Sequence, residues 1–357
     1  MQPLPAREAH HALDAQFTEL NGAEVVAHYG EVAREFAHLK SSAAVLDLSF
    51  RTRLVLVGAD RSRFLHSQCT NDINRLKPGE GCYTAFTTNK GRVLGDANVF
   101  VLADEILLDA EPGQTTPMTE RLKKFIVSED AEIVDAAPHY GLLSVQGPKA
   151  AEVIAQLELD VPFPADSFAS VKFEHAVLGE LYLANHPRLR TAGADLFVPV
   201  ASLGAVLDKL ITAAKSVGGG LAGWEALDLA RVEAGIPRFG VDMDETNLAP
   251  EACLEARAIS YTKGCYVGQE VLNRLRTFAE VNKRLCLLKL PADMSSLPER
   301  GTKLLKDGKE VGFITSTAKI PGGEICALGY VRKEWLSPGE LLTTAQGFVA
   351  ESSGPVG

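Results

Sequence analysis

The sequence predicts an α+β protein of more than one domain that ends in a small antiparallel β-barrel. Three observations carry that expectation. The chain has 357 residues, more than one ordinary hydrophobic core holds, and this suits two or three domains. Up to about residue 250 strand-like alternation and helix-like periodicity take turns along the chain. From about Lys283 onward, short apolar runs follow one another with turn signals and no long helix between them.

Taken in order, Gly22–Ala43 (GAEVVAHYGEVAREFAHLKSSA) places apolar residues at three- and four-residue steps and predicts a helix. RTRLVLVG (Arg51–Gly58) alternates as a strand and leads through Gly58-Ala59-Asp60 into a helix. Cys82–Glu111 contains three strand-like runs, separated by the hairpin signals Asn89-Lys90-Gly91 and Ala103-Asp104-Glu105. GQTTPMTERLKKFIV returns to helix. YGLLSVQGPKAAEVIAQL (Tyr140–Leu157) repeats the grammar of strand, glycine turn and amphipathic helix, an echo that suggests an internal duplication. KFEHAVLGELYLANH and ADLFVPV supply strands, SLGAVLDKLITAAKSVG a helix, and the segment from Gly218 a further helix that ends near Gly235-Ile236-Pro237. The last region is punctuated by Asp307-Gly308 and Pro321-Gly322-Gly323.

Composition excludes several function classes. Hydrophobic residues make up 46% and charged residues 23%, as in ordinary globular proteins. No apolar run reaches the roughly 18–20 residues of a membrane helix. The opening MQPLPAREAHHALDAQ has no apolar core of a secretory signal and carries Glu8 and Asp14, so the expected location is cytoplasmic. A net charge of −10 disfavours nucleic-acid partners. Six cysteines occur without C-x-x-C, zinc-ligand or ferredoxin spacing, so no metal site is expected and disulfides are disfavoured.

One stretch asks for a chemical explanation. SYTKGCYVGQEVLNR (Ser260–Arg274) sets Cys265 between Gly264 and Tyr266, with Lys263 before it and Gly268, Gln269 and Glu270 after it. Cys265 reads either as a small buried hydrophobe in a turn or as a thiolate favoured by Lys263 and a following helix start. As a thiolate it would be a nucleophile, a redox centre or a transient metal ligand, and the residues leave these three open. Gly264 and Gly268 either bound secondary structure or let the backbone approach closely. Gln269 and Glu270 either complement a helix dipole or present an amide and a carboxylate to a cavity.

Four stretches together resemble one family: TNDINRLKPGEGCYTAFTTNKGRVLGD (Thr70–Asp96), ALDLARVEAGIPRFGVDMDETNLAPE (Ala226–Glu251), KGCYVGQE (Lys263–Glu270) and VGFITSTA with ALGYV (Val311–Val331). The arrangement is similar to the folate-binding superfamily of the glycine-cleavage T-protein (aminomethyltransferase), and the octapeptide looks like the signature of its YgfZ branch. That branch is associated with iron–sulfur enzyme maintenance and with tRNA modification. The resemblance implies an α+β three-domain cloverleaf, with two mixed α/β domains and a C-terminal antiparallel β-barrel around a central folate channel. With the pattern changes, it divides the chain into 1–50 plus 137–250, an inserted 51–136, a linker 251–282 carrying the octapeptide, and a barrel 283–357.

The resemblance also implies roles. The T-protein pattern Gly-Gly-x-x-Asp-Asp corresponds to Gly91–Asp96, which makes Asp96 a folate-orienting or proton-accepting carboxylate. Arg231 in ARVEAG becomes a cation for the folate tail, with Glu233 beside it, and Lys263, Gln269 and Glu270 become folate contacts. Two departures stand out. Where T-proteins carry Arg-x-Gly-Tyr-Thr-Gly-Glu, this chain has RLRTAGADLFVPV (Arg188–Val200), with Asp195 matching a later position. Where they carry Asp-Phe, it has Cys265-Tyr266. The leading expectation is a tetrahydrofolate-binding accessory protein for iron–sulfur cluster assembly or repair, acting through Cys265 with assembly proteins or client enzymes as partners. The alternative is an aminomethyl or methyl transferase that uses tetrahydrofolate, or a one-carbon derivative of it, at Asp96. A third is a non-catalytic scaffold.

Overall fold

The computed structural model describes residues 1–278, 280–294 and 296–357. The chain forms two compact units. The first comprises Met1–Leu65, Ile73–Tyr83 and Ala97–Leu227, the second His66–Asp72, Thr84–Asp96 and Asp228–Gly357.

The first unit is built on two large sheets and a two-stranded one. One has six strands in the order Ser170–His175, Gly179–Asn185, Gly193–Pro199, Tyr140–Gln146, Ala44–Asp47 and Gly220–Leu221. Its pairs are antiparallel except the last, where Gly220 and Leu221 run parallel to Ala44 and Val45. Leu143, Val145, Leu196 and Val198 pack against Val153 and Ile154 of the helix Ala150–Ala155, and against Leu207 and Leu210 of the helix Leu203–Ser216. The amphipathic periodicity of the latter segment is the pattern of a helix laid on a sheet face.

The other sheet has the order Gly81–Thr87, Val93–Val101, Ile106–Ala110, Thr52–Val57 and Glu132–Asp135. The strands expected within Cys82–Glu111 are all present, and the tip of their first hairpin, Thr84–Asp96, belongs to the second unit. The two strand–glycine–helix segments share one construction. Gly58 and Gly147 have φ of +103° and +128°. A Cβ there would lie 2.3 Å from the Asp130 carbonyl oxygen and 2.6 Å from that of Ser42, respectively. Each strand therefore turns into its helix against another main chain, where only glycine fits.

The N-terminal helix expected over Gly22–Ala43 is half strand. Ala23–His28 pairs antiparallel with Gln16–Leu20, and the helix is confined to Val32–Ser41. Val25, Val26 and Ala27 are consecutive and all buried. A one-sided helix exposes part of such a run, whereas a strand covered on both faces accommodates it. Gly30, at φ +116°, separates the two elements. The helix then places Glu35 so that its carboxylate accepts the Tyr29 and Gly223 amides.

Trp224–Glu233, whose residues from Asp228 onward belong to the second unit, is the helix expected before Gly235, and Gly235 terminates it with φ +67°. The C-terminal region closes into a six-stranded antiparallel barrel: Lys283–Leu290, Ile325–Arg332, Lys309–Lys319, Lys303–Lys306, Leu341–Thr344, Val349–Pro355 and back to the first. Its interior is filled by Cys286, Leu288, Leu304, Ile314, Ile325, Val331 and Leu342. Closure leaves no free sheet edge. Among the described residues no helix is long and apolar enough to cross a membrane.

Candidate functional site

Lys263 opens the octapeptide and is buried. Its ammonium donates to the carbonyl oxygens of His66 (2.5 Å), Cys69 (2.7 Å) and Asn71 (2.6 Å), which accounts for all three of its N–H donors. Its charge also lies 4.8 Å from the centroid of the Tyr266 ring, within cation–π range. Tyr266 is buried, its hydroxyl has no hydrogen-bond partner among the described residues, and burial raises its pKa above the usual phenol value. The Val267 carbonyl accepts the Thr87 hydroxyl at 2.7 Å. Gly268 follows at φ +91°, and a Cβ on it would lie 2.5 Å from Thr87 Oγ1 and 2.6 Å from the Thr88 oxygen. The Gln269 amide donates to the carbonyls of Lys263 and Gly264, both at 3.3 Å, at the start of the helix Gln269–Phe278.

These anchors present Cys265. It is exposed, while Cys69, Cys253, Cys286 and Cys326 are buried and Cys82 lies between. Burial pushes the Cys286 thiol up to about 12 and that of Cys326 up to about 11, and raises Cys253 as well. Those three are thereby held as neutral thiols at pH 7. Beside the loop, His66 Nε2 lies 3.6 Å from the position of a Cβ on Gly264, and His66 Nδ1 is 3.3 Å from the Asp72 carboxylate. Burial and the nearby Lys263 charge hold the His66 pKa below its ordinary value, with Asp72 opposing. Neither His66 nor Asp72 was expected from the sequence, because no motif spacing connects them to Lys263–Glu270.

Several expected roles look different at atomic level. Lys263 was expected to acidify the thiol or to touch folate, but its donors hold the loop to three carbonyls. Arg231 was expected as a cation for a folate tail. Its guanidinium is buried and donates to Asp228 at 2.8 Å, to Asp242, to the Ile236 carbonyl and to Ser316 at 2.9 Å. Gln269 holds loop carbonyls rather than presenting its amide outward. Glu233 is half-buried at the end of its helix, and Glu270 is exposed in the first turn of the next.

Asp96 is half-buried on the strand Val93–Val101. The hairpin that carries it is fixed to the segment after Met243: the Val93 amide donates to the Asn247 carbonyl at 3.0 Å, and Arg92 donates to that of Thr246. At the hairpin tip a Cβ on Gly91 would lie 3.3 Å from Val271 and Leu272 side-chain atoms. The same hairpin thus supports the Cys265 loop through Thr87, Thr88 and Gly91.

In the first unit, Arg188–Val200 carries an ion network. Asp195 and Asp109 are fully buried. Arg188 Nη2 donates to both carboxylates, at 2.6 and 2.7 Å, His186 Nδ1 lies 2.6 Å from Asp195, and Arg51 donates to Asp109 at 2.6 Å. Asp109, His186 and Asp195 bring potential metal-ligand atoms within 4.8 Å of one another. The guanidinium of Arg188 already occupies the place a cation would take, so the set reads as an internal ion cluster. Its arginines hold both carboxyls well below the usual range against the opposing effect of burial.

Residues 6–263 match the family model of the GCVT N-terminal domain. The chain belongs to the GCVT family. Among relatives of this GCVT member, a chloroplastic protein of Arabidopsis thaliana, provisionally named a transferase, is 32% identical over 327 residues, or 86% of this chain and 70% of that protein. An aminomethyltransferase of Saccharopolyspora erythraea is 28% identical over 347 residues, or 95% of this chain and 92% of that one. The crystal structure of the glycine cleavage system aminomethyltransferase T from Bartonella henselae superimposes with a TM-score of 0.87 at 23% identity, covering 98% of this chain and 96% of that one. The expected T-protein type of fold, mixed α/β followed by an antiparallel barrel, is the fold found, and the barrel has six strands.

Proposed function

We propose that this GCVT-family chain is a tetrahydrofolate-dependent transferase of one-carbon units, with Asp96 as its proton-accepting group. The observation that carries this reading is the position of Asp96, a half-buried carboxylate held on a strand whose hairpin is tied down on both sides. Relatives named aminomethyltransferase along nearly the whole chain support it. The edge of a reduced pterin carries N–H donors, and a carboxylate is the acceptor that suits them. Asp96 and Glu270 each carry a carboxylate, a group able to accept more than one donor, and Lys263 and Arg231 direct their donors to partners within the protein. The fit to folate therefore rests on acceptors. Bound tetrahydrofolate supplies the nitrogens that take up the one-carbon unit. The chain orients that edge and receives a proton at the Asp96 carboxylate.

The test supplies tetrahydrofolate and an aminomethyl donor and follows methylenetetrahydrofolate. Wild type is expected to turn over, and Asp96→Asn to lose about 10²–10⁴-fold in kcat, the usual contribution of a positioned acid or base. Absence of wild-type turnover across aminomethyl and methyl donors overturns the transferase reading.

A second reading has its own observation. Lys263, Tyr266, Gly268 and Gln269 are each tied down while the thiol between them is exposed. That suits an accessory protein that meets iron–sulfur proteins through Cys265. Cys265→Ala is expected to keep its stability within about 0.5 kcal/mol of wild type, as exposed positions do. It is expected to fail to restore iron–sulfur enzyme activity in a bacterium lacking its own family member, where wild type succeeds. Equal rescue by both removes Cys265 from the mechanism.

A further inference from the structure

The second unit holds a cavity of about 320 Å³ whose lining residues all belong to that unit. The volume falls within the roughly 300–1,000 Å³ of ordinary ligand sites. Burial distinguishes its floor from its mouth. Pro250 and Val281 are buried, Tyr261 and Leu275 are half-buried, and Arg276 and Glu280 are exposed. Apolar groups therefore form the bottom, and two opposite charges stand at the opening.

The charged side chains of the lining fall into two kinds. Arg284 and Glu255 satisfy one another, with Nη2 2.7 Å from the carboxylate, and together make a neutral wall. Arg276 and Glu280 line the same cavity but form no ion pair with each other or with any other described residue. Arg276 is placed by stacking instead: its Cζ lies 4.3 Å from the centroid of the Tyr261 ring, within cation–π range. Its N–H donors meet no acceptor among the described residues, and the Tyr261 hydroxyl has no hydrogen-bond partner among them either. Burial, then Glu255, raises the Tyr261 pKa, with Arg276 and Arg284 opposing, so the phenol keeps its proton at neutral pH. A guanidinium and a phenol side by side, both with donors to spare, suit a carboxylate. Glu280 suits a cation. The two unpaired charges sum to zero, so an anion or a cation alone meets one attractive and one repulsive group. A ligand that carries both charges is the complementary one.

We propose that this cavity binds an aliphatic α-amino acid, its carboxylate on Arg276 and the Tyr261 hydroxyl, its ammonium on Glu280 and its side chain on Pro250, Leu275 and Val281. The site goes beyond the proposed transferase, because neither Asp96 nor Cys265 lines it.

The probe is L-leucine, titrated calorimetrically into the full chain. Isocaproate, which lacks the ammonium, and isoamylamine, which lacks the carboxylate, are its counterparts. One site is expected, with leucine favoured over each by about 10–100-fold, the range of one hydrogen bond to a charged group. Arg276→Gln is expected to bind leucine and the amine alike, and Glu280→Gln to bind leucine and the acid alike. Both substitutions fall at exposed positions, so the thermal midpoint is expected to stay at its wild-type value. The proposal is overturned by absence of leucine binding to wild type, by equal affinity of wild type for the three probes, by either variant keeping the wild-type discrimination, or by displacement of leucine with tetrahydrofolate.

Discussion

Gly268→Ala is expected to cost about 2–4 kcal/mol and to dislodge the Cys265 loop, while Gly264→Ala is expected to cost less than about 0.5 kcal/mol. The two glycines flank the same thiol and carry opposite loads. At Gly268 the backbone sits at φ +91°, and an added Cβ would meet Thr87 Oγ1 at 2.5 Å and the Thr88 carbonyl at 2.6 Å. A non-glycine residue in that region costs about 1–3 kcal/mol, and overpacking against fixed neighbours costs about as much again. The side chain cannot rotate out of the way, because the obstacle is a Cβ. Thr87 cannot yield freely either, since its hydroxyl holds the Val267 carbonyl. At Gly264 the nearest atom to a built Cβ is His66 Nε2 at 3.6 Å, an ordinary contact. Urea unfolding of both variants, with the rate of Cys265 alkylation as a local readout, checks the pair. Equal stability losses would show that the loop is not held by the Gly268 contact.

Much of the chain's architecture was legible because its elements obey simple periodicities. The barrel strands alternate between Asp-Gly and Pro-Gly-Gly turns, and the three strands of Cys82–Glu111 are marked by their hairpin residues. The N-terminal misreading had a specific cause. Val25-Val26-Ala27 fits a helical window as well as a strand, and only burial on both sides decides between them. The division into two units was not legible, since Thr84–Asp96 joins the second unit by tertiary contact, which leaves no mark on local sequence. At the candidate site, the octapeptide pointed to a loop built around a cysteine. That Lys263 would turn inward to three carbonyls could not be read, because its partners at His66, Cys69 and Asn71 lie almost 200 positions away. The same distance hid His66 and Asp72. The ion cluster of Asp109, Arg188 and Asp195 was missed for a related reason. Asp195 was weighed against a glutamate it does not match, whereas its physical role is to pair with Arg188.

That cluster carries the other large effect. Arg188→Met is expected to destabilise the protein by about 3–5 kcal/mol at pH 7, the usual result of removing one partner from a buried ion pair, since Asp195 loses its arginine while Asp109 keeps Arg51. Asp109 and Asp195 are both completely buried, and the Arg188 guanidinium bridges them. The pH dependence separates this cause from lost packing. Both carboxyls have folded pKa values below their unfolded ones, with the arginines as the favourable cause and burial opposing. Their contribution is therefore present above an unfolded pKa of about 4 and is lost as pH falls below it. His186 adds a loss on the same side. Burial, then Arg188, lowers its pKa against the pull of Asp195 and Asp109. The unfolded chain consequently takes up a proton below about pH 6.5 that the folded one resists. Wild-type stability should decline gently below about pH 6.5 and more steeply below about pH 4. In Arg188→Met, Asp195 keeps only His186 and Asp109 keeps Arg51, so the pair gains less from ionisation and protonation costs it less. The gap between variant and wild type is then widest near neutral pH and narrows on acidification. Urea midpoints from pH 7 to pH 3 measure it, and a gap independent of pH would mean that Arg188 acts through packing of its stem alone.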